Sequence, residues 1–124
     1  GRISRAQKSI GKILNIRPII VADAEGKLSV VELSRGNKVY KRMIEIIEEE
    51  TNGRDLSKDI MFPVYGEEKE LIEIFEKKLN ILNENITLLP QRLGSAIGTH
   101  TGPDIVGTGY LREEMPEKFR CYYE

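Results

Sequence analysis

Apolar side chains recur along this chain in two rhythms, and the switches between them mark out its elements. From Ser4 to about Leu14 the spacing is helical: Ile3, Ala6, Ile10, Ile13 and Leu14 share one face, with Arg5, Lys8 and Lys12 on another. Ser4 can cap this helix, and Asn15 with Pro18 closes it. Pro18-Ile19-Ile20-Val21 and Leu28-Ser29-Val30-Val31-Glu32-Leu33 then have strand character. Asp23-Ala24-Glu25-Gly26 joins them as a hairpin turn, with Gly26 where a positive φ is needed. Neither run alternates cleanly, which predicts that at least one strand is buried on both faces.

The helical rhythm returns at Asn37. Val39, Met43, Ile46 and Ile47 point inward, Glu45, Glu48, Glu49 and Glu50 outward, and Asn52-Gly53 ends the run. Ile60 to Tyr65 is a short strand whose Pro63 predicts a sheet edge or a strand end. Gly66 leads into a helix from about Glu67 to Leu82, with Leu71, Phe75, Leu79 and Leu82 as its buried stripe. Ile86 to Pro90 reads as a strand, a glycine-rich loop follows, and Ile105 to Leu111 is a last, glycine-interrupted strand. The order α-β-β-α-β-α-β-loop-β predicts an α/β two-layer sandwich: one mixed β-sheet with helices mainly on one face. Met115 to Glu124 is a polar-aromatic tail with no assigned structure.

A length of 124 residues implies one domain with room for a real core. A formal net charge of −1 argues against a general nucleic-acid binder. The single cysteine, Cys121, excludes an internal disulfide and a cysteine-cluster zinc site, and points to an intracellular, cytoplasmic setting. The longest apolar run, about five residues, is too short to insert in a membrane. Metalloprotease, P-loop, nucleophile-elbow and dinucleotide signatures are absent, and one histidine cannot build a His-rich metal site.

What remains for chemistry is concentrated in Gly98-Thr99-His100-Thr101-Gly102-Pro103, which holds the one histidine. A loop of this composition can offer Thr99 Oγ, Thr101 Oγ, an imidazole nitrogen and backbone N–H groups to a carboxylate or phosphate. It can equally be a tight turn with an exposed histidine. Arg2, Arg5, Lys8, Lys12 and Arg17 form a basic segment with no acid before Asp23, suited to an acidic partner or to solvent. Arg35, between Ser34 and Gly36 at a strand-to-helix junction, is either part of an anion site or the partner of a glutamate.

Three segments together resemble the DegV family of bacterial fatty-acid-binding proteins. They are Gly1-Arg2-Ile3-Ser4 followed by Leu14-Asn15-Ile16-Arg17-Pro18-Ile19-Ile20, then Gly26-Lys27-Leu28 into Val31-Glu32, and Ile97 to Pro103. Order and spacing match up to about Leu111. The resemblance implies a two-domain architecture, with a three-layer N-terminal domain and a C-terminal two-layer domain built on a mixed sheet. A long-chain fatty acid has its tail buried and its carboxylate at the domain interface, and a separate kinase uses ATP to make the acyl phosphate.

On this resemblance, residues 1–111 correspond to the C-terminal domain alone, 112–124 are a tail, and the N-terminal domain is absent. The chain is then a lipid-binding carrier, not an enzyme, with no metal or cofactor of its own. His100 would hydrogen-bond the fatty-acid head group, with Thr99, Thr101 and Gly102 shaping the site. Arg2 and Arg35 would lie on the face presented to the fatty acid kinase. An isolated domain of this kind is expected to self-associate or to pair with the missing N-terminal domain. Three features depart from the family pattern: Asp104 stands where a small residue is usual, Gly107 to Tyr110 is more polar, and the tail runs past the normal end. Two alternatives stay open. One is a dihydroxyacetone-kinase-like subunit whose histidine holds a small ketone, with Asp104 as the only local orienting carboxylate. The other is an isolated domain without activity of its own.

Overall fold

The computed structural model of the chain describes residues 15–122; the helix from Ser4 and the cations Arg2, Arg5, Lys8 and Lys12 lie outside the described residues. The chain divides into two compact units, Gly1–Ile46 and Ile47–Glu124.

In the first unit, β1 (Ile16–Ala22) and β2 (Leu28–Arg35) form an antiparallel two-stranded sheet. The turn between them is set by Asp23. Its Oδ1 accepts the N–H groups of Glu25 (3.1 Å) and Lys27 (2.7 Å), and its carbonyl accepts that of Gly26. Gly26 has φ +77°, as the turn requires. Asn15 takes φ +51° just before β1, and its carbonyl accepts the Gly36 N–H at 2.9 Å, tying the open end of the hairpin.

The missing alternation has a local cause. Ile19 pairs with Glu32 and Ile20 with Val30, so Val31 is an extra residue in β2. Paired residues share a face, as do residues two apart in a regular strand. Val30 and Leu33, three apart, therefore come to one face together with Pro18, Ile20 and Leu28. That face is open: Ile20 is 45% exposed, Leu28 51%, Val30 51% and Leu33 65%. The opposite face carries buried Ile19 and also Glu32, whose Oε2 accepts Arg42 Nε at 2.8 Å. Neither strand is buried on both faces, contrary to the sequence expectation; a bulge, rather than double burial, breaks the alternation. Arg42 belongs to α1 (Lys38–Glu50), on which Val39, Tyr40 and Ile47 are buried, and Asn52 (φ +53°) and Gly53 (φ +63°) end the turn that follows it.

The second unit is built on β3 (Ile60–Tyr65). β4 (Thr87–Leu88) and β5 (Gln91–Arg92) pair with it in parallel, and β6 (Val106–Gly109) pairs with it antiparallel. The mixed sheet and α/β class agree with the sequence, with the strands divided between two sheets rather than joined in one.

Pro63 lies inside the central strand, not at an edge as predicted. Asp59, Met61 and Tyr65 accept the N–H groups of Thr87, Leu89 and Leu93, so the odd-numbered residues of this segment face the β4–β5 side. A proline at 63 removes one donor on that side, and it is there that the partner breaks into two short strands at Leu89-Pro90.

Helix α2 (Lys69–Leu82) packs on β3 and β6. Its buried stripe is Ile72, Phe75 and Leu79, at i, i+3 and i+7, so Ile72 takes the place predicted for Leu71. Together with Met61 and Ile86 these side chains form the core of the unit. A short helix, α3 (Ser95–Thr101), connects β5 to β6, and α4 (Glu117–Arg120) supplies structure in the tail. No helix among the described residues is long and apolar enough to cross a membrane.

Candidate functional site

The segment expected to be a glycine-rich loop is mostly helix. Gly94 enters α3 in an extended conformation (φ −65°, ψ 154°), and Gly102 stops it at φ +92°, with its N–H donated to Gly98 O at 3.0 Å. Gly98 is an ordinary helical residue, so only the second of the two bracketing glycines uses its conformational freedom.

The hydroxyls are also spoken for. Thr99 Oγ1 donates to Ser95 O at 2.7 Å, and Thr101 Oγ1 donates to Ile97 O at 3.1 Å. Such back-bonding satisfies a threonine inside a helix and leaves its oxygen as an acceptor only. A carboxylate meeting α3 thus finds neither threonine proton and not the Gly102 N–H. The donor that remains in the motif is the imidazole of His100, exposed in the last turn. No residue of α3 is buried, and Ile97 is 55% exposed.

Thr99, His100, Thr101 and Gly102 are therefore grouped on one short helix and its cap. Asp104 sits close behind, with Oδ1 3.5 Å from where a Cβ on Gly102 would lie. Arg35 ends β2, exposed, in the other compact unit, and Arg2 lies outside the described residues.

Two residues with structural authority over this region were not singled out by sequence. Gly66 follows β3 directly, and a Cβ there would lie 2.4 Å from Pro103 O and 2.9 Å from Pro103 C. A glycine between a strand and a helix was the visible signal. Arg54 is the second. Its guanidinium makes a bidentate pair with Asp59 (2.6 Å and 2.6 Å) and donates to the carbonyls of Leu111 (2.9 Å), Arg112 (3.2 Å) and Glu113 (3.3 Å). The hydrogen bond to Asp59 raises the guanidinium pKa further, and through these carbonyls Arg54 helps to fasten the chain after β6. Nearby, the Tyr110 hydroxyl donates to Glu50. Two open, polar clefts of about 340 and 170 Å³ adjoin Lys58 and Glu114, and neither is lined by a residue of α3.

A family model for the uncharacterised proteins of the DegV family matches residues 1–113. The chain belongs to the DegV family. A DegV domain-containing protein of Caldanaerobacter subterraneus is 34% identical over 107 residues, covering 86% of this chain and 38% of that protein. One from Clostridium acetobutylicum is 34% identical over 115 residues, covering 91% and 40%. The chain thus spans about two fifths of the length of these curated relatives. Among solved structures, a DegV family protein of Corynebacterium glutamicum superposes with a TM-score of 0.70 at 21% identity, over 94% of this chain and 44% of that one, which shows the shared fold. A fatty acid binding DegV family protein of Streptococcus agalactiae superposes with a TM-score of 0.63 at 26% identity, over 89% and 38%.

Proposed function

We propose that this chain is part of a cytoplasmic fatty-acid carrier, in which His100 hydrogen-bonds the carboxylate of a long-chain fatty acid. The observation that carries this reading is the likeness to the fatty acid binding DegV protein of Streptococcus agalactiae, which extends over 89% of the chain and so includes most of its elements. The state of α3 supports it. An exposed helix with no buried residue places an imidazole N–H where a ligand can reach it. A hydrogen bond from imidazole to a carboxylate is charge-assisted and among the stronger single contacts available to a head group. Because the threonine protons are committed within α3, further donors to the carboxylate have to come from outside this helix.

In this reading the carrier does no chemistry. Arg35, exposed at the end of β2, and Arg2 serve the kinase that phosphorylates the carboxylate, because a carrier has to offer its head group to a partner. Native mass spectrometry of a full-length DegV polypeptide carrying this segment tests the ligand: a co-purifying long-chain acid supports the carrier, and a bare protein after bacterial expression argues against it. Arg35→Glu is expected to slow acyl-phosphate formation with the cognate kinase while bound lipid still co-purifies. A lipid-free Arg35→Glu protein would move that arginine from the docking face to the pocket.

A further inference from the structure

β5 and β6 flank β3 on opposite sides, so the connection between them, residues 93–105 with α3 inside it, has to pass over the end of β3. The crossing point is Gly66, the first residue after β3. Three backbone donors of the β3–α2 turn fasten the connection there: Gly66 N to Ile105 O (3.1 Å), Glu67 N to Pro103 O (2.8 Å) and Glu68 N to Pro103 O (3.5 Å). A Cβ at 66 would meet Pro103 O at 2.4 Å, Pro103 C at 2.9 Å and Gly102 O at 3.2 Å. These obstacles are backbone atoms, which cannot swing aside as a side chain would. Gly66 is not among the residues with positive φ, so its glycine serves the close approach alone.

We infer that Gly66 is a positioning residue for the head-group helix, setting the height of Gly102, and through it of His100, above the end of the sheet. The inference rests on the fatty-acid reading of His100. The path is short: a Cβ at 66 would run into Gly102 and Pro103, and the Gly102 N–H is bonded into the last turn of α3, which carries His100. Adding a methyl at 66 lifts the cap of α3 and moves the imidazole with it, while the buried stripe of α2 and Met61 stays in place. A binding group displaced by about 1 Å loses much of its worth, because hydrogen bonds weaken steeply away from their preferred geometry.

The test is palmitate titration of a full-length DegV polypeptide carrying this segment, as Gly66→Ala, His100→Ala and the double variant. Gly66→Ala is expected to weaken binding roughly tenfold, while Gly94→Ala, which meets nothing within 4 Å, binds as before. In the His100→Ala background Gly66→Ala is expected to cause no further loss, because its effect runs through the imidazole. Additive losses, or unchanged affinity in Gly66→Ala with His100→Ala impaired, would overturn the inference and leave the carrier reading intact. Unchanged affinity in His100→Ala would instead sink the carrier reading. Should Gly66→Ala fail to fold, Glu67→Pro removes the 2.8 Å donor to Pro103 O without adding bulk at 66. It is expected to weaken palmitate binding severalfold in the parent and not at all in the His100→Ala background; the same loss in both would count against the positioning role.

Discussion

In the second unit Met61, Phe75 and Leu79 are wholly removed from water, whereas on the hairpin of the first unit Leu28, Val30 and Leu33 each keep half or more of their surface exposed. The residue types are alike and the strands are similarly rich in them. What differs is the cover. α2 lays Ile72, Phe75 and Leu79 on β3 and β6, and β3 is paired on both sides. The bulge at Val31 brings Val30 and Leu33 to one face with Pro18, Ile20 and Leu28, and those side chains are exposed. Apolar content in a strand therefore says that a cover is needed, not that the described residues provide it. A two-stranded sheet is marginal by itself, so the stability of this chain should reside chiefly in the second unit.

The largest expected effect tests that division. Phe75→Ala should cost about 3–5 kcal/mol, the usual range for emptying a buried aromatic site, and denaturant unfolding of the 124-residue chain would read it. A loss below about 1 kcal/mol would mean that the second unit is not the stable part.

Next is Arg54→Ala, which strands the buried Asp59 carboxylate without its bidentate partner. Removing one member of such a pair should cost about 3 kcal/mol. It should also raise hydrogen exchange in residues 112–114, since the carbonyls of Leu111, Arg112 and Glu113 lose their donor. Unchanged exchange there would contradict the fastening role.

Tyr110 sharpens the comparison by pH. Burial, and then its hydrogen bond to Glu50, push the phenol pKa well above the usual tyrosine range. A group whose folded pKa is raised stabilises the fold below its unfolded pKa, near ~10 for tyrosine, and that contribution is lost as pH climbs above it toward the folded value. Tyr110→Phe should therefore lower stability by about 1 kcal/mol at neutral pH and flatten the part of the alkaline decline due to this residue. A variant with the same alkaline profile as the parent would rule the contact out as its source. The smallest effect is expected on the hairpin: Leu33→Ser should change stability by no more than about 0.5 kcal/mol, and a loss above about 2 kcal/mol would show that this face is covered after all.

Most elements were legible in the sequence, because hydrophobic period and turn residues are local signals. Ile60–Tyr65 has the bounds its apolar run indicates, and Gly26 and Asn52-Gly53 fall where turn chemistry puts them. Phe75 and Leu79 of the α2 stripe are buried as helical spacing predicts, with Ile72 in place of Leu71 and Leu82 only half-buried. The failures are of another kind. Pro63 in a central strand is tolerated because a strand distant in sequence is interrupted opposite it. The bulge at Val31 is visible only in the pairing of two strands. In the candidate site the residue types were legible and their arrangement was not: two glycines within five residues favour a loop on propensity, yet back-bonded threonines and a single positive-φ glycine cap make a turn of helix instead. Gly66 matters through Pro103, thirty-seven residues away, and no local pattern reports such a contact.

The central claim is that His100 holds the fatty-acid carboxylate, and it is tested most directly by calorimetric titration of palmitate into a full-length DegV polypeptide carrying this segment, with and without His100→Ala. The account predicts binding weaker by about 1.5–3 kcal/mol, the range for a hydrogen bond to a charged group, and an unaltered unfolding midpoint of the ligand-free protein, since α3 buries no side chain. Undiminished affinity in His100→Ala would contradict it.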